Sequence, residues 1–335
     1  MKKLLSKKTI GLLGLIAIIC VLPLIIKDKY ALHLLTSMMI SIIMYLGLNL
    51  LIGLSGQVSL GQSAFFGIGA YTAGLMSTKL GAPAWLTIIL GTLISIVIGA
   101  LLGLPAARLK GPYLTMTTLA FTQLFTLLMI NMTEFTNGPI GVTNIGPLKL
   151  FGIAFDSKYK MYLLMVAFAL LAIAVFIRIK NSPIGRSWRA MKDSRIAAEA
   201  MGINSARYNV LAFAICSGFA GLAGTLYAYY NTYISPDQFN LTLSFSVVSV
   251  LVIGGRGSVI GTLIAAFIQT FVPEWLRPLG DWRNIIFAVL LIVVVLFAPE
   301  GCVGLLNKLK GFIAGMIAKS KTAKNASEGE SGDDK

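Results

Sequence analysis

Long uncharged apolar runs alternate along the chain with short polar joins. Residues 9–26, 34–52, 84–104, 161–177 and 284–298 contain no Asp, Glu, Lys or Arg, and a helix of about 20 such residues crosses a bilayer's hydrocarbon core. A soluble chain would place charged residues at helical period and keep one face wet. The pattern predicts spans at 9–26, 34–52, 63–80, 84–104, 113–132, 161–179, 209–230 and 284–299. Residues 243–272 differ, because Gly254, Gly255, Arg256 and Gly257 cut the run into halves of about 12 and 15 residues, short for full spans. A re-entrant hairpin or two short tilted helices fits, with Arg256 kept out of lipid. The expected fold is an all-α polytopic transmembrane bundle of about eight full spans plus this broken or re-entrant pair at 243–272. It occupies residues 1–310, and the polar stretch 319–335 reads as a disordered tail.

Composition sharpens this. The 335 residues are 56% hydrophobic and 12% charged, with 28 Lys and Arg against 13 Asp and Glu. A net charge of +15 could suggest nucleic acid, but the basic residues fall in clusters between apolar runs and form no continuous face. Lys2, Lys3, Lys7, Lys8, Arg108, Lys110, the stretch 178–207, Lys308 and Lys310 all fall on one side if the chain starts inside, which predicts cytoplasmic termini. The start resembles a signal peptide but lacks a small-residue cleavage site, so it reads as a retained first helix. Cys20, Cys216 and Cys302 have no CxxC spacing and imply neither zinc nor a disulfide framework.

Signs of catalysis are lacking. There is no Walker A loop and no dinucleotide fingerprint. The single histidine, His33, sits at a span mouth, where an interfacial role is the plainer one. Glu134, Asp156, Asp237, Glu274, Asp281 and Glu300 fall at loops or span ends, which disfavours a proton relay inside the membrane. No catalytic residue, metal site or cofactor is expected.

The polar residues within apolar surroundings are the candidates for a solute path. Asn49, Ser55, Gln57, Ser59 and Gln62 cluster around the interruption SGQVSLGQ, while Thr115, Thr117, Thr118, Thr122 and Gln123 lie in the fifth span. Each would be penalised in hydrocarbon, so all must face other helices or water. Threonines have a simpler role as interhelical glue. In SGQVSLGQ the glycines coincide with the polar cluster, as in a broken helix that opens its backbone to a cavity, although a structural kink is the alternative. Gly56, Ser59 and Leu60 are faintly echoed by Gly255, Ser258 and Val259, and paired Gly-interrupted segments mark pathways in transporter folds.

The basic loop at 180–208 predicts a pair of short surface helices: Ser182 is a cap, Pro183 a first helical residue, and Ile184, Trp188, Met191, Ile196, Ala200 and Met201 an apolar stripe. It would meet either a partner or anionic lipid. Gly99 with Gly103, and the stripe Gly218, Gly221 and Gly224, predict close helix contacts, within the chain or with a second subunit. Thr133 to Tyr159, rich in Gly, Pro and Asn, predicts a long external lid-like loop. Trp85, Trp275 and Trp282 read as interfacial anchors.

Several stretches, GLSGQVSLGQSAFFGIGAYTAG, GPYLTMTTLAF, IGRSWRAMKDSRIAAEAMGIN and VLVIGGRGSVIGTLIAA, together resemble branched-chain amino acid ABC transporter permeases, the second-permease type of the hydrophobic amino acid uptake family. The resemblance spans residues 40 to 300. It implies a cytoplasmic coupling loop in 180–208, whose family pattern is EAA, three residues, then Gly. Here Ile196, Ala197 and Ala198 precede Glu199 to Met201 and Gly202. The leading Glu is thus replaced by Ile196, which would weaken a charge contact there, and no I-x-L-P follows. Arg186, Arg189 and Arg195 would ring the contact, with Ala197, Ala198, Glu199 and Gly202 at its centre. The translocation path would take in Asn49, Ser55, Gln57, Ser59, Gln62, Thr117, Thr118 and Gln123. The resemblance also implies two ABC ATPase subunits, a second permease chain making a heterodimer, and an extracytoplasmic solute-binding protein, in a bacterial inner membrane. A permease of the same type for urea or short amides stays open, as do a sodium-coupled carrier and a passive channel for small neutral solutes.

Overall fold

The apolar runs fold as helices, and the breaks between them set their packing. A computed structural model describes residues 28–297, except 108, 110, 151, 152, 156 and 281. The span expected at 9–26 and the tail at 319–335 lie outside the described residues. Helix α1 (Lys29–Asn49) runs on as a π-helix, Leu50–Ser55, and is followed by α2 (Gln62–Lys79), α3 (Ala84–Ala106), α4 (Pro112–Asn131) and α5 (Lys158–Asn181). Two short helices, α6 (Pro183–Asp193) and α7 (Arg195–Ala200), lead to α8 (Ser205–Asn231), α9 (Leu241–Gly254), α10 (Val259–Trp275) and α11 (Trp282–Phe297). The only described sheet pairs two-residue strands, β1 (Lys149–Leu150) and β2 (Ile153–Ala154). The chain is an all-α bundle, and by length and hydropathy six described stretches can span a membrane: Lys29–Ser55, α3, α4, α5, α8 and Pro236–Gly254.

Burial separates the helices. The Lys29–Ser55 stretch and α8 are mostly buried, whereas α3, α4 and α5 keep most of their surface outside. Apolar side chains such as Leu101, Met116 and Leu124 are more than half exposed, as expected of surfaces meeting lipid or another subunit. The glycine stripes face inward within the chain: a Cβ at Gly69, Gly221 or Gly224 would collide with Gly221 O, Ser95 Oγ or Phe66 O respectively, and one at Gly99 with Ser217. Close backbone approach is the gain such small residues give where no hydrophobic effect drives helices together.

One expectation is narrowed and one changes. Residues 243–272 form a helical hairpin, α9 and α10, tied across by Ser246 Oγ donating to Gln269 Oε1 at 2.8 Å. A 3-10 turn, Pro236–Phe239, lengthens the α9 arm, so the pair resembles two tilted helices more than a shallow loop. Arg256 at its turn is exposed. The stretch after α4 is less lid-like than its composition suggests. It carries a helical turn, Thr133–Thr136, and a 3-10 turn, Gly138–Ile140. Val142 and Ile234 then exchange backbone bonds of 2.9 and 3.0 Å, which pins the loop to the segment after α8.

Candidate functional site

Both interruptions meet at the end of the bundle that carries α6 and α7. Gly56, with φ of +75°, ends the π-helix, and residues 57–60 run back into the bundle outside any helix. Gln62 at the start of α2 reaches Met44, its Nε2 donating to Met44 O at 2.9 Å. Met44 precedes Ser55 by eleven residues, or roughly 15 Å of helix. The backbone of 56–61 therefore needs partners within the bundle, and one face of α4 supplies them. Thr115 Oγ1 donates to Val58 O at 3.3 Å, Thr118 Oγ1 accepts from Leu60 N–H at 2.9 Å, and Thr122 Oγ1 donates to Leu60 O at 2.8 Å. Their spacing of three and four residues puts all three on one helical face. Thr118 and Thr122 also bond their own helix, to Thr115 O and Thr118 O, so these two threonines join the break to α4 and brace α4 at once. The buried start of α2 is completed from α9, where Ser244 Oγ accepts from Ser63 N–H at 3.1 Å.

The second interruption packs against the first. Asn49 Oδ1 accepts from Gly257 N–H at 2.6 Å, and Asn49 Nδ2 donates to Ser258 O at 2.9 Å and Thr262 Oγ1 at 2.8 Å. A Cβ at Gly53 would strike both Asn49 Oδ1 and Gly257. Two lysines close the junction from the α6–α7 end. Lys180 Nζ donates to Gly257 O at 2.6 Å, and Lys192 Nζ to Gly53 O at 2.9 Å. The ammonium groups satisfy carbonyls that the π-helix and the hairpin turn release, so these lysines have a structural role.

A cavity of about 630 Å³ lies beside this junction. Its walls include Gln57 and Val58 from the break, Leu114 and Met116 from α4, Arg195 from α7 and Asn209 from α8. The predicted path residues divide around it. Asn49 and Gln62 are buried and fully engaged, the latter also accepting from Cys216 Sγ at 3.2 Å. Ser55 bonds Leu51 O in its own helix, and Ser59 accepts from Gly61 N–H. Thr118 holds the backbone, whereas Thr117 bonds Tyr113 O and Gln123 is exposed on the outer face of α4. Ser55 and Gln57 are the two of the eight that border the cavity. Gln57 Oε1 is buried without a hydrogen-bond partner, as is Oδ1 of Asn209. Asn209 was not anticipated. It stands at the edge of an apolar run, where its sequence context is that of any span boundary.

The family model for branched-chain amino acid transport system permease components matches residues 30–298. The chain belongs to that family. It is similar to the high-affinity branched-chain amino acid transport system permease protein LivM of Salmonella typhimurium, 32% identical over 88% of this chain and 75% of the relative. LivM of Escherichia coli is 33% identical over 79% of this chain and 68% of the relative. The ribose import permease protein RbsC of Haemophilus influenzae is 26% identical over 86% and 91%. No solved structure matches the chain.

The permease builds its predicted loop with well-formed ends. Ser182 Oγ caps α6 by accepting from Gly185 N–H, and Ser194 caps α7 by accepting from Ala197 N–H. At the far end of α7, Ile203 N–H reaches Ala198 O and Gly202 N–H reaches Glu199 O, both 3.0 Å, with Gly202 at φ +84°. That is a Schellman stop, which favours glycine at the left-handed position. The apolar stripe, expected to face outward as one, is split. Trp188 and Met191 are buried in the permease itself, with Trp188 Nε1 donating to Tyr208 O at 2.9 Å, while Ile196 and Met201 are 83% and 84% exposed. The turn at Ser194 between α6 and α7 separates the two sets. Arg186 and Arg189 bond carbonyls at the end of α5, while Arg195 pairs with Glu199 at 2.9 Å and also reaches Ala107 O, just after α3, at 3.5 Å. Ala197 is exposed and Ala198 buried beneath α7.

Proposed function

We propose that this permease moves branched-chain amino acids inward as part of an ATP-driven importer in a bacterial inner membrane. The α6–α7 end faces the cytoplasm, and the N- and C-termini lie on the same side. Its partners are a second permease chain, two ABC ATPase subunits and an extracytoplasmic solute-binding protein. Relatives named for branched-chain amino acids at 32% and 33% identity support this substrate over the ribose of a 26% relative.

The carrying observation is the pair of exposed apolar side chains at the two ends of α7, Ile196 in its first turn and Met201 at its C-cap. Ile196 and Met201 project from a helix closed at both ends by caps, and large exposed apolar groups on an otherwise basic loop mark a binding surface. Ile196, standing where the family pattern has Glu, then offers an apolar contact in place of a charged one. Movement of the docked ATPases would pass from α7 to α6, then through Lys192 to Gly53 and the adjoining break. The path would run by Ser55, Gln57 and Ser59 and along Thr117 and Gln123 on α4, with Asn49, Gln62 and Thr118 holding its walls.

Ile196→Asp with Met201→Asp should reduce co-purification of the ATPase subunits by more than tenfold and abolish uptake in proteoliposomes. Undiminished assembly would remove α7 from the docking role. ATP-independent transport of leucine by the single purified chain would overturn the importer reading in favour of a carrier or channel.

A further inference from the structure

Four amide side chains stand near the junction of the two interruptions, and they fall into two classes. Asn49 and Gln62 have partners at both their oxygen and their nitrogen. Gln57 and Asn209 do not. Their oxygens are two of four buried side-chain polar atoms without a hydrogen bond among the described residues, the others being the hydroxyls of Tyr45 and Tyr71. Asn209 as a whole is only 3% exposed. Buried polar atoms are nearly always paired, and leaving one unpaired costs on the order of 1–3 kcal/mol. Both side chains line one cavity while the oxygens themselves are closed off, so a turn of the terminal amide is what would present each oxygen to a ligand there.

We propose that the cavity is a binding site for the free amino acid on the cytoplasmic side of the permease, with Gln57 and Asn209 as its polar contacts. The inference rests on the transport reading above and adds a location and a ligand chemistry to it. Primary amides offer a carbonyl acceptor and N–H donors, which suits a zwitterion carrying both an ammonium and a carboxylate. Arg195, on the same wall, gives its Nε to Glu199 and one Nη2–H to Ala107 O at 3.5 Å, which leaves its other terminal N–H groups for the carboxylate. The remaining wall is apolar, with Val58, Leu114 and Met116, and suits a branched aliphatic side chain. The cavity's 630 Å³ falls within the range of about 300–1,000 Å³ usual for small-molecule sites. No acidic side chain lines it and Arg195 does, so a bare cation is a poorer fit, and the ammonium of a zwitterion would be met by the amide oxygens.

The test is equilibrium dialysis of radiolabelled L-leucine against the assembled permease and ATPase complex with its binding protein omitted. In parallel, uptake of leucine is measured in proteoliposomes with the binding protein restored. Wild type should bind leucine. Asn209→Leu and Gln57→Met should each weaken that binding at least tenfold while leaving the melting temperature of the complex unlowered, because each removes an unpaired oxygen. Leu119→Trp, which fills the cavity from its apolar wall, should abolish binding without touching either amide. 4-Methylpentanoate, leucine without its ammonium, should not compete. Uptake of leucine with no binding in dialysis, or binding indifferent to all three substitutions, would show that the cavity holds water only and would overturn the site while leaving the transport reading intact. If leucine is not taken up at all, the transport reading fails and the site falls with it.

Discussion

The segment 56–61 and the turn 255–258 interrupt their helices with the same kinds of residue, glycine and serine, yet the bundle treats them differently. The first runs back into the bundle with Val58 and Leu60 held by the threonine face of α4, and one of its sides borders the 630 Å³ cavity. The second is a tight turn whose polar groups are taken by Asn49 and Lys180. Of the two, only the first carries an unpaired buried oxygen, at Gln57. A polar glycine-containing interruption is therefore not itself a pathway. What distinguishes the two is whether a neighbour consumes the polar groups it releases.

That contrast can be broken most severely at Gly53, where they touch. Gly53→Leu would drive a side chain into Asn49 and Gly257, and overpacking of this kind costs about 3 kcal/mol or more when backbone has to move. Loss of monodisperse protein after detergent extraction is the expected result; normal yield would mean that the interruptions separate freely. Asn49→Leu should come next. It strands Gly257 N–H and takes one donor from Thr262 Oγ1, and the expected destabilisation is about 2 kcal/mol, read as a lower melting temperature in detergent. An unchanged melting temperature would show that the hairpin turn does not depend on α1. The smallest effect should come from Thr118→Val, which removes one partner of Leu60 and is expected to cost about 1 kcal/mol. Hydrogen exchange should rise at 56–61 and remain unchanged at 255–258. Equal rises at both would show that the two are one unit.

The legible part of the fold was the set of helices, because bilayer thickness fixes the length of an apolar run and charge marks its ends. Described spans begin and end within a few residues of the expected positions, as at Ala84–Ala106 and Pro112–Asn131. Local chemistry at 180–208 was equally readable: Ser182, Pro183 and Gly202 act through neighbours only a few residues away. Residues whose role depends on distant partners were not readable. Asn49 finds Gly257 and Thr262 more than two hundred positions along the chain. Lys180 and Lys192 read as topology signals, and nothing local shows the carbonyls they satisfy. The apolar stripe from Ile184 to Met201 could not reveal that a turn at Ser194 would bury one half and expose the other.

The sequence alone determined that this chain lies in a membrane as helices and where its helices break. Those properties follow from composition and short-range sterics, which each segment carries with it. Tertiary structure decided which polar groups are consumed and which remain open. Asn49, Gln57, Gln62 and Asn209 are alike as side chains, and hydrogen-bond saturation is a property of the packed surroundings. Packing pairs Asn49 and Gln62 and leaves oxygens of Gln57 and Asn209 facing no protein partner. The uncharged interruption SGQVSLGQ therefore acquires its distinct roles, backbone at Leu60, scaffold at Gln62 and candidate contact at Gln57, only when α4, α8 and the α9–α10 hairpin close around it.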